Sequence, residues 1–245
     1  METMNDRLLL ILGEERLAAL AQARVMVLGL GGVGSSCAEA LARGGVGSLV
    51  LVDRDVVAPS NINRQALAFH STLGQPKAEV MAQMVTDINP NCETCAVVNF
   101  IDKDRVAEQL GSLPRPDYVV DAIDTVSQKL AVAAWCQEQG IPEVSAMGGA
   151  NKLDPTRLRF APIEKTTVDP LARIVRKECR KRGIRGLMTL YSDEQPLEAN
   201  GKRDAIDEHG FVREGASILG TMSYLPPIMG QMLASYVIRD LAGLL

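Results

Sequence analysis

The sequence predicts an α/β fold built on a largely parallel sheet with helices on both faces. Two observations lead to this class. An apolar strand pattern at residues 25–30 runs directly into a turn of closely spaced glycines, Gly29 to Gly34, and a helical pattern follows. Further apolar runs at residues 48–52 and 117–122 alternate with helical patterns, as in successive βαβ units. A strand, a glycine turn and a helix in this order are typical of Rossmann-like folds.

The remaining elements are expected to extend this sheet. Asp169 and Pro170 match a helix start and Gly183 matches a helix stop. The predicted elements are helices at residues 77–88, 125–139 and 169–183 and strands at residues 141–146, 156–161 and 187–191. The sheet is therefore predicted to be parallel in its first half and mixed overall.

The glycine turn predicts a nucleotide site. Glycines between a buried strand and a helix start let backbone N–H groups approach a phosphate, and the helix dipole adds roughly half a positive charge there. An acid about 20 residues further on usually accepts the ribose hydroxyls, and Asp53 closes a strand at that distance. These features fit NAD and ATP equally. The turn residues expected to bind the cofactor are Gly29, Gly31, Gly32 and Gly34.

Three charged residues downstream favour ATP over NAD. A site that splits a triphosphate must neutralise charge while the α-phosphate is attacked. Arg64 lies in a polar loop, Lys77 begins a helix, and Asp124 follows a strand, where a carboxylate holds Mg²⁺ against phosphate oxygens. Each residue also has a structural interpretation: a loop-anchoring arginine, a solvated lysine and a helix-capping aspartate. Because all three follow strand ends, where open α/β sheets bind ligands, we predict that together they form a catalytic site.

Composition agrees with a globular enzyme of a reducing compartment. The chain has 245 residues, of which 47% are apolar and 23% charged, and a net charge of −4, so it is long enough to bury a sizeable core. Five cysteines at irregular spacing indicate reduced thiols and a cytoplasmic location. Cys92 and Cys95 form one CxxC without a second pair downstream, so we interpret them as structural residues rather than zinc ligands. Cys179 is interpreted as a packing residue, and His70 and His209 as surface residues.

Five motifs in order resemble the adenylating domain of the ubiquitin-activating-enzyme superfamily. They are GLGGVG at residues 29–34, the aspartate Asp53, NINRQ at residues 61–65, GQPK at residues 74–77 and DAID at residues 121–124. Members of that superfamily adenylate carboxylates. The matching arginine and lysine bind ATP phosphates, the first aspartate binds ribose, and the last serves the metal and the triphosphate. The resemblance implies ATP contacts at Asp53, Asp55, Asn61, Asn63, Arg64, Gln65, Lys77 and Asp124.

The same resemblance implies a homodimer. In the sulfur-carrier activators of the superfamily, an arginine of the amino-terminal helix reaches the partner subunit's ATP, and Arg7 matches its place. Residues 1–245 are then expected to form a single adenylation domain. Its parts would be an amino-terminal helix (1–23), an ATP-binding part (24–160) and a substrate-facing extension with the carboxyl-terminal helix (161–245).

A strongly basic helix distinguishes the second half of the chain. Seven basic residues and one acid, Glu178, occur within thirteen positions from Arg173 to Arg185. The run fits either a solvated face that balances acids elsewhere or a strip that tracks phosphates, with salt-dependent affinity. A phosphate-tracking strip suits RNA better than a carrier protein. The residues predicted to contact nucleic acid are Arg173, Arg176, Lys177, Arg180 and Lys181.

A narrower set of motifs resembles the bacterial tRNA threonylcarbamoyladenosine dehydratases. It comprises Gly148-Gly149-Ala150, LDPT at residues 153–156, Lys165-Thr166, DPLAR at residues 169–173 with the basic helix, Ser192 and Glu194. The resemblance implies that the protein adenylates the carboxylate of threonylcarbamoyladenosine beside the anticodon and cyclises it with loss of water. No catalytic cysteine is required. The alternatives are adenylation of a ubiquitin-like sulfur carrier at its terminal glycine, and an NAD-dependent oxidoreductase or nucleotide sensor.

Three stretches near the carboxyl terminus complete the predictions. Residues 216–238 carry no charge and are long enough to cross a bilayer of about 30 Å. They contain several polar residues and Pro226-Pro227, so we predict a helix packed on the sheet rather than a membrane span, with peripheral membrane association left open. Residues 192–211 are expected to form a mobile loop over the site. Residues 212–216 lack the cysteine that some relatives carry there, so no sulfur-transfer partner is expected.

Overall fold

The computed structural model of the protein describes residues 2–198, 205–206, 212–213 and 219–245. Its strands are β1 (Arg24–Leu28), β2 (Ser48–Val52), β3 (Glu93–Val97), β4 (Tyr118–Asp121), β5 (Glu143–Ala146), β6 (Leu158–Pro162), β7 (Met188–Ser192), β8 (Ala205–Ile206) and β9 (Val212–Arg213). Its helices are α1 (Asp6–Gln22), α2 (Gly32–Arg43), α3 (Lys77–Ile88), α4 (Val106–Gly111), α5 (Val126–Gln139), α6 (Pro170–Arg182) and α7 (Leu225–Leu241).

One large sheet organises the described part of the chain. Its seven strands follow the order β3-β2-β1-β4-β5-β7-β6. Neighbours pair in parallel except at one edge, where β6 runs antiparallel to β7. The predicted α/β class with a mixed sheet is therefore confirmed. The strand predicted at residues 156–161 is displaced, because the Asp154 side chain accepts a hydrogen bond from Thr156 N and begins a 3₁₀ turn before β6.

Both faces of the sheet are covered, which explains the continuous apolar runs of its central strands. In β1, Val25 and Val27 belong to a core cluster with residues of α2, α3 and α7. Met26 and Leu28, on the opposite face, pack with residues of α4 and α5. The carboxyl ends of β1, β2 and β4 meet at one edge of the sheet, and the loops that carry the predicted site residues begin there.

The apolar tail forms helix α7, which packs against α2. Its fully buried residues include Leu225, Met229, Leu233 and Val237. Gly230 lets the two helices approach closely, since a Cβ there would lie 2.3 Å from the carbonyl oxygen of Val33. The predicted helix and its burial are confirmed from Leu225 onward, whereas residues 219–224 precede the helix and are mostly exposed. Pro226 and Pro227 stand in the first turn of the helix, where proline is tolerated. Within the described ranges, the structure contains no helix long and apolar enough to span a membrane.

Candidate active site

The glycine turn joins β1 to α2 and brings the start of α2 to a cleft. Gly29 has a φ of +82°, and a Cβ there would lie 2.9 Å from the carbonyl oxygen of Ala122. A Cβ at Gly34 would lie 1.8 Å from Gly29 O, so both positions need glycine for the turn to pack this tightly. Gly31 and Gly32 line the cleft. The N–H groups at this helix start carry partial positive charge.

Asp53 follows β2 and fastens the glycine turn. Its Oδ2 accepts a hydrogen bond from Leu30 N at 2.6 Å, and its Oδ1 accepts one from Asp55 N at 2.8 Å. Burial raises the pKa of the Asp53 carboxyl, and the nearby ammonium of Lys77 opposes this rise. Asp53 also lines the cleft. Its contact with ribose hydroxyls stays a prediction.

Lys77 begins α3 and lines the same cleft. Its side chain is only 6% exposed, and its Nζ lies 2.8 Å from Asp55 Oδ2. The interpretation of Lys77 as a solvated lysine is therefore wrong. The Asp55 side chain is 47% exposed, so this ion pair is open to solvent on one side. The contact of the Lys77 ammonium with a phosphate stays a prediction.

Arg64 contributes a second cation to the cleft. Its Nη1 donates to the carbonyl oxygen of Ser60 at 2.9 Å and to Asn63 Oδ1 at 2.8 Å. Burial lowers the pKa of the Arg64 guanidinium, which nevertheless stays charged at neutral pH because arginine starts from a very high pKa. The guanidinium thus anchors its loop while Arg64 lines the cleft, and its contact with ATP stays a prediction.

The three amides near Arg64 have different surroundings. Gln65 is buried and lines the cleft, and its Oε1 has no hydrogen-bond partner among the described residues. Asn61 also lines the cleft, but its Oδ1 already accepts a hydrogen bond from Ala58 N at 3.0 Å. Asn63 is not among the lining residues, and its Nδ2 donates to the carbonyl oxygen of Thr221 at 3.4 Å. Gln65 therefore differs from the two asparagines, whose side-chain oxygens both accept hydrogen bonds.

Asp124 lies just past β4, exposed and at the cleft. Its Oδ1 accepts a hydrogen bond from Thr125 Oγ1 at 3.2 Å. Helix α5 begins at Val126, with Thr125 in the capping position and no side chain bonded to the helix end. The interpretation of Asp124 as a helix cap is therefore wrong. Its carboxylate is left accessible to the cleft.

A buried ion pair between Lys129 and Asp121, which the sequence did not reveal, holds the loop that leads to Asp124. Lys129 Nζ lies 2.9 Å from Asp121 Oδ2, and Ser145 Oγ donates to the same oxygen at 2.7 Å. Asp121 Oδ1 accepts a hydrogen bond from Ile123 N at 3.0 Å, which fixes the loop leading to Asp124. The available signal was a lysine in the apolar pattern of α5, since a buried lysine requires a partner.

The cleft has a volume of about 500 Å³ and two walls of different character. The charged wall comprises Gly29, Gly31, Gly32, Asp53, Asp55, Asn61, Arg64, Gln65, Lys77 and Asp124. We call Gly149, Ala150, Leu219 and Thr221 the uncharged wall; other uncharged residues also line the cleft, among them Asn99, Phe100 and Ile101 after β3. Helix α7 lies against both walls: a Cβ at Gly32 would be 2.8 Å from Pro226 Cβ, and one at Gly149 would be 2.7 Å from Met229 Sδ. The structure thus brings Arg64, Lys77 and Asp124 together, as predicted from their positions after strand ends.

The basic helix α6 begins beside the uncharged wall. The Asp169 side chain accepts a hydrogen bond from Ala172 N, and Gly183 ends the helix with a φ of +72°, as predicted. A Cβ at Gly148 would lie 3.2 Å from Asp169 Oδ2. Lys152, which is 1% exposed, forms an ion pair with Asp169 and donates to Gly148 O at 2.9 Å. The start of α6 is therefore coupled to the loop that forms the uncharged wall.

The five basic residues predicted to contact nucleic acid do not all remain available. Arg176 Nη1 donates to Thr166 O at 2.7 Å and to Thr166 Oγ1 at 2.6 Å, so this arginine anchors a loop. Lys181 forms an ion pair with Glu178 at 2.6 Å. Three of the five are exposed and have no ion-pair partner in the described part of the chain: Arg173, Lys177 and Arg180. Their spacing places these three on one face of α6.

The other predicted residues lie away from the cleft. Arg7 is exposed on α1 and does not line the cleft of its own chain. His70 is exposed, Cys179 is buried between α5 and α6, and Cys95 lies in β3, in agreement with their interpretations. No cluster of three or more metal-ligating side chains occurs among the residues that the structure describes. Residues 199–204, 207–211 (with His209) and 214–218 lie outside the described residues.

Comparisons with known proteins identify the family of the chain. The ThiF family matches residues 5–244. A curated tRNA threonylcarbamoyladenosine dehydratase of Bacillus subtilis (strain 168) is 40% identical over 235 residues, covering 95% of this chain and 92% of that protein. E. coli tRNA N6-threonylcarbamoyladenosine dehydratase, TcdA, in complex with ATP is 32% identical with a TM-score of 0.82, covering 96% of this chain and 92% of that one. Its complex with AMP gives 31% identity and a TM-score of 0.84, covering 99% and 98%. The chain therefore belongs to the ThiF family, and within it to the tRNA threonylcarbamoyladenosine dehydratases.

Proposed function

We propose that this protein uses ATP to activate the carboxylate of threonylcarbamoyladenosine in tRNA and then cyclises it with loss of water. The observation that carries the proposal is the convergence of the glycine turn, Arg64, Lys77 and Asp124 on one cleft. This cleft belongs to a chain that matches dehydratases over almost its whole length.

The first step forms an acyl-adenylate. An oxygen of the substrate carboxylate attacks the α-phosphorus of ATP, the bond to the β-phosphate breaks, and pyrophosphate leaves. Negative charge grows on the phosphate oxygens during this attack. Arg64, Lys77 and the glycines at the start of α2 line this cleft. Their cations and N–H groups would lower the barrier by stabilising the developing charge.

Asp124 is the residue that would hold Mg²⁺ together with ATP. Its carboxylate is exposed at the cleft and makes one hydrogen bond, to Thr125. Magnesium in nucleotide sites is usually bound by one or two carboxylates plus phosphate oxygens, so a single aspartate fits the ion. When bound, the ion supplies charge neutralisation on the phosphates.

The second step closes the ring. The carbamoyl nitrogen attacks the activated carbonyl and loses its proton, and AMP leaves with the former carboxylate oxygen, so the nucleoside has lost one water. The reaction is intramolecular, and the protein contributes mainly orientation. Cysteine catalysis is not needed, and burial raises the pKa of Cys92 and of Cys179 to about 11, which keeps both thiols protonated at neutral pH.

The tRNA would lie along α6. Arg173, Lys177 and Arg180 are exposed on one face of a helix that begins beside the uncharged wall. Phosphates held by this strip would bring a nearby modified adenosine to the cleft. In this arrangement residues 24–160 bind ATP and residues 161–245 face the tRNA.

The protein would act as a cytoplasmic homodimer. Helix α1 bends at Gly13 and exposes Leu10 and Ile11, each 79% accessible. Apolar side chains this exposed are suited to a subunit contact. A second copy packed there would carry the exposed Arg7 toward the partner's nucleotide, which is the role that the family resemblance implies.

Mass spectrometry of tRNA tests the proposed reaction. Threonylcarbamoyl-modified tRNA is incubated with the protein, ATP and Mg²⁺, and the nucleosides are analysed. We expect the modified nucleoside to lose the mass of one water while AMP and pyrophosphate appear in equal amounts. Reactions without ATP, or with the Lys77→Ala variant, are the controls. An unchanged nucleoside, with adenylate forming instead on the terminal glycine of a sulfur-carrier protein, would favour the alternative function.

A further inference from the structure

The uncharged wall is assembled from two loops that are far apart in the sequence. Gly149 and Ala150 follow β5, whereas Leu219 and Thr221 precede α7. These four residues supply no charge to the cleft. The cations proposed to serve the phosphates, Arg64 and Lys77, belong to the charged wall. We therefore take the uncharged wall as the surface for the acyl substrate that approaches the α-phosphate.

Asn151 joins the two loops although it does not line the cleft itself. Its backbone N–H donates to Gly220 O at 2.9 Å, and its Oδ1 accepts a hydrogen bond from Gly220 N at 2.7 Å. The side chain and backbone of one asparagine therefore satisfy both backbone groups of Gly220. Leu219 and Thr221, the neighbours of Gly220, are placed by this pair of hydrogen bonds.

The backbone of Asn151 is shaped for this contact. Its φ is +57°, in the left-handed region that asparagine adopts more readily than most residues. The adjacent Lys152 is buried and donates to Gly148 O and to Ser192 O, which fixes the loop on the body of the protein. On the far side, Asn63 Nδ2 reaches Thr221 O at 3.4 Å. Residues 219–221 thus lie between a rigid loop and the segment that carries Arg64.

We propose that Asn151 is a positioning residue: by binding both backbone groups of Gly220 it sets Leu219 and Thr221 at the distance from the charged wall that the acyl substrate requires. This inference rests on the proposed function. Asn151 is then expected to affect the use of modified tRNA and not the binding of ATP, because Leu219 and Thr221 belong to the uncharged wall.

The test compares Asn151→Gly with three further variants of the full chain. Asn151→Gly retains the left-handed backbone and removes the acceptor, and Asn151→Asp retains an acceptor at the same place. Gly220→Ala disturbs the same pair of hydrogen bonds at the partner residue, since a Cβ there would lie 3.2 Å from Asn151 Oδ1. Val168→Gly relieves another positive φ, +62°, and serves as the backbone control.

Steady-state kinetics with modified tRNA and ATP give the first readout. We expect Asn151→Gly and Gly220→Ala to lower kcat/KM for tRNA on the order of tenfold, mainly through KM, because small misplacements of substrate are costly. The KM for ATP should stay unchanged, Asn151→Asp should recover most of the loss, and Val168→Gly should match the wild type. Equal kinetics for wild type and both disrupting variants, or equal losses for Asn151→Gly and Asn151→Asp, would overturn the proposal.

Hydrogen exchange gives a readout that does not depend on the reaction. The amide of Gly220 should be protected in the wild type and in Asn151→Asp, and should exchange faster in Asn151→Gly. A wild-type protein that protects this amide but does not dehydrate the tRNA would contradict the proposed function alone. Protection that persists in Asn151→Gly would contradict the role of Asn151 alone.

Discussion

The two walls of the cleft are held in place by different interactions. On the charged wall, Asp53 accepts a hydrogen bond from Leu30 N in the glycine turn, and the ion pair of Lys77 with Asp55 is partly open to solvent. The uncharged wall depends on contacts between distant segments, a sealed ion pair at Lys152 and the hydrogen bonds of Asn151. Charge and shape are therefore supplied separately, so substitutions should affect catalysis on one side and stability or substrate fit on the other.

The largest expected effect is on the anchor of the uncharged wall. Lys152→Met removes one member of an ion pair in which Lys152 is 1% and Asp169 0% exposed. An uncompensated buried carboxylate costs about 3 to 5 kcal/mol, and urea unfolding should show this loss. Adding Asp169→Asn should recover part of it. Lys103→Met is the control, because its pair with the exposed Asp104 is worth about 0 to 1 kcal/mol. A loss for Lys152→Met as small as for Lys103→Met would remove the contrast between the walls.

The charged wall should respond in rate rather than stability. Lys77→Ala, and separately Arg64→Ala, should slow the release of pyrophosphate on the order of a hundredfold or more, because each removes a group that stabilises developing charge. Single-turnover kinetics with saturating tRNA measure this step. The free energy of unfolding should change little for Lys77→Ala, since Asp55 is then left half exposed to water. Near-normal turnover would take these residues out of the mechanism.

Helix α6 offers a third comparison, between exposed cations beside the cleft and exposed cations elsewhere. Changing Arg173, Lys177 and Arg180 together to alanine should weaken tRNA binding on the order of tenfold and lower its salt slope by up to about one per residue. The control changes Arg16, Lys103 and Arg105, which removes the same charge from other surfaces. Filter binding at several salt concentrations gives both slopes. Identical slopes for the two triple variants would reduce α6 to a solvated face.

The last comparison concerns the activity regained when two nearly inactive variants are mixed, and it tests whether one chain supplies the whole charged wall. Arg7→Ala and Lys77→Ala should each retain on the order of 1% of the wild-type rate or less. Mixed under conditions that exchange subunits, they should regain about a quarter of the wild-type rate, since half of the dimers are then mixed and each mixed dimer has one intact site. Light scattering checks that the variants remain dimeric. Activity that does not return on mixing would confine Arg7 to its own subunit or exclude it from the site.

The residues of the charged wall could be predicted from the sequence because short motifs mark them. A strand followed by glycines, and charges that follow strand ends, place Arg64, Lys77 and Asp124 at one sheet edge whatever the rest of the chain does. The burial of Lys77 was missed, since it depends on a carboxylate 22 residues earlier in the chain. The bounds of α6 were also foreseeable, because its capping aspartate and terminal glycine act within the helix itself.

The uncharged wall could not be foreseen in the same way. The hydrogen bond between Gly220 and Asn151 joins residues 69 positions apart, and no local pattern in the sequence indicates that they meet. Helical periodicity placed Arg176 with the other basic residues of α6, but it does not reveal the neighbouring Thr166 to which this arginine is bonded. The pair of Asp121 with Lys129 was hidden for a similar reason, because a charge pattern does not show which charges are buried together.

The ion pair between Lys77 and Asp55 also has a consequence for product release under the proposed function. An ammonium that already has a carboxylate beside it gains from an incoming anion only the difference between two partners. A triphosphate, with several charges, outweighs that resident carboxylate far more readily than a singly charged ion does. Once pyrophosphate has departed, AMP competes poorly and Asp55 can reclaim its partner. Under the proposed function, this ion pair would favour rapid exchange of product for fresh ATP over tight retention.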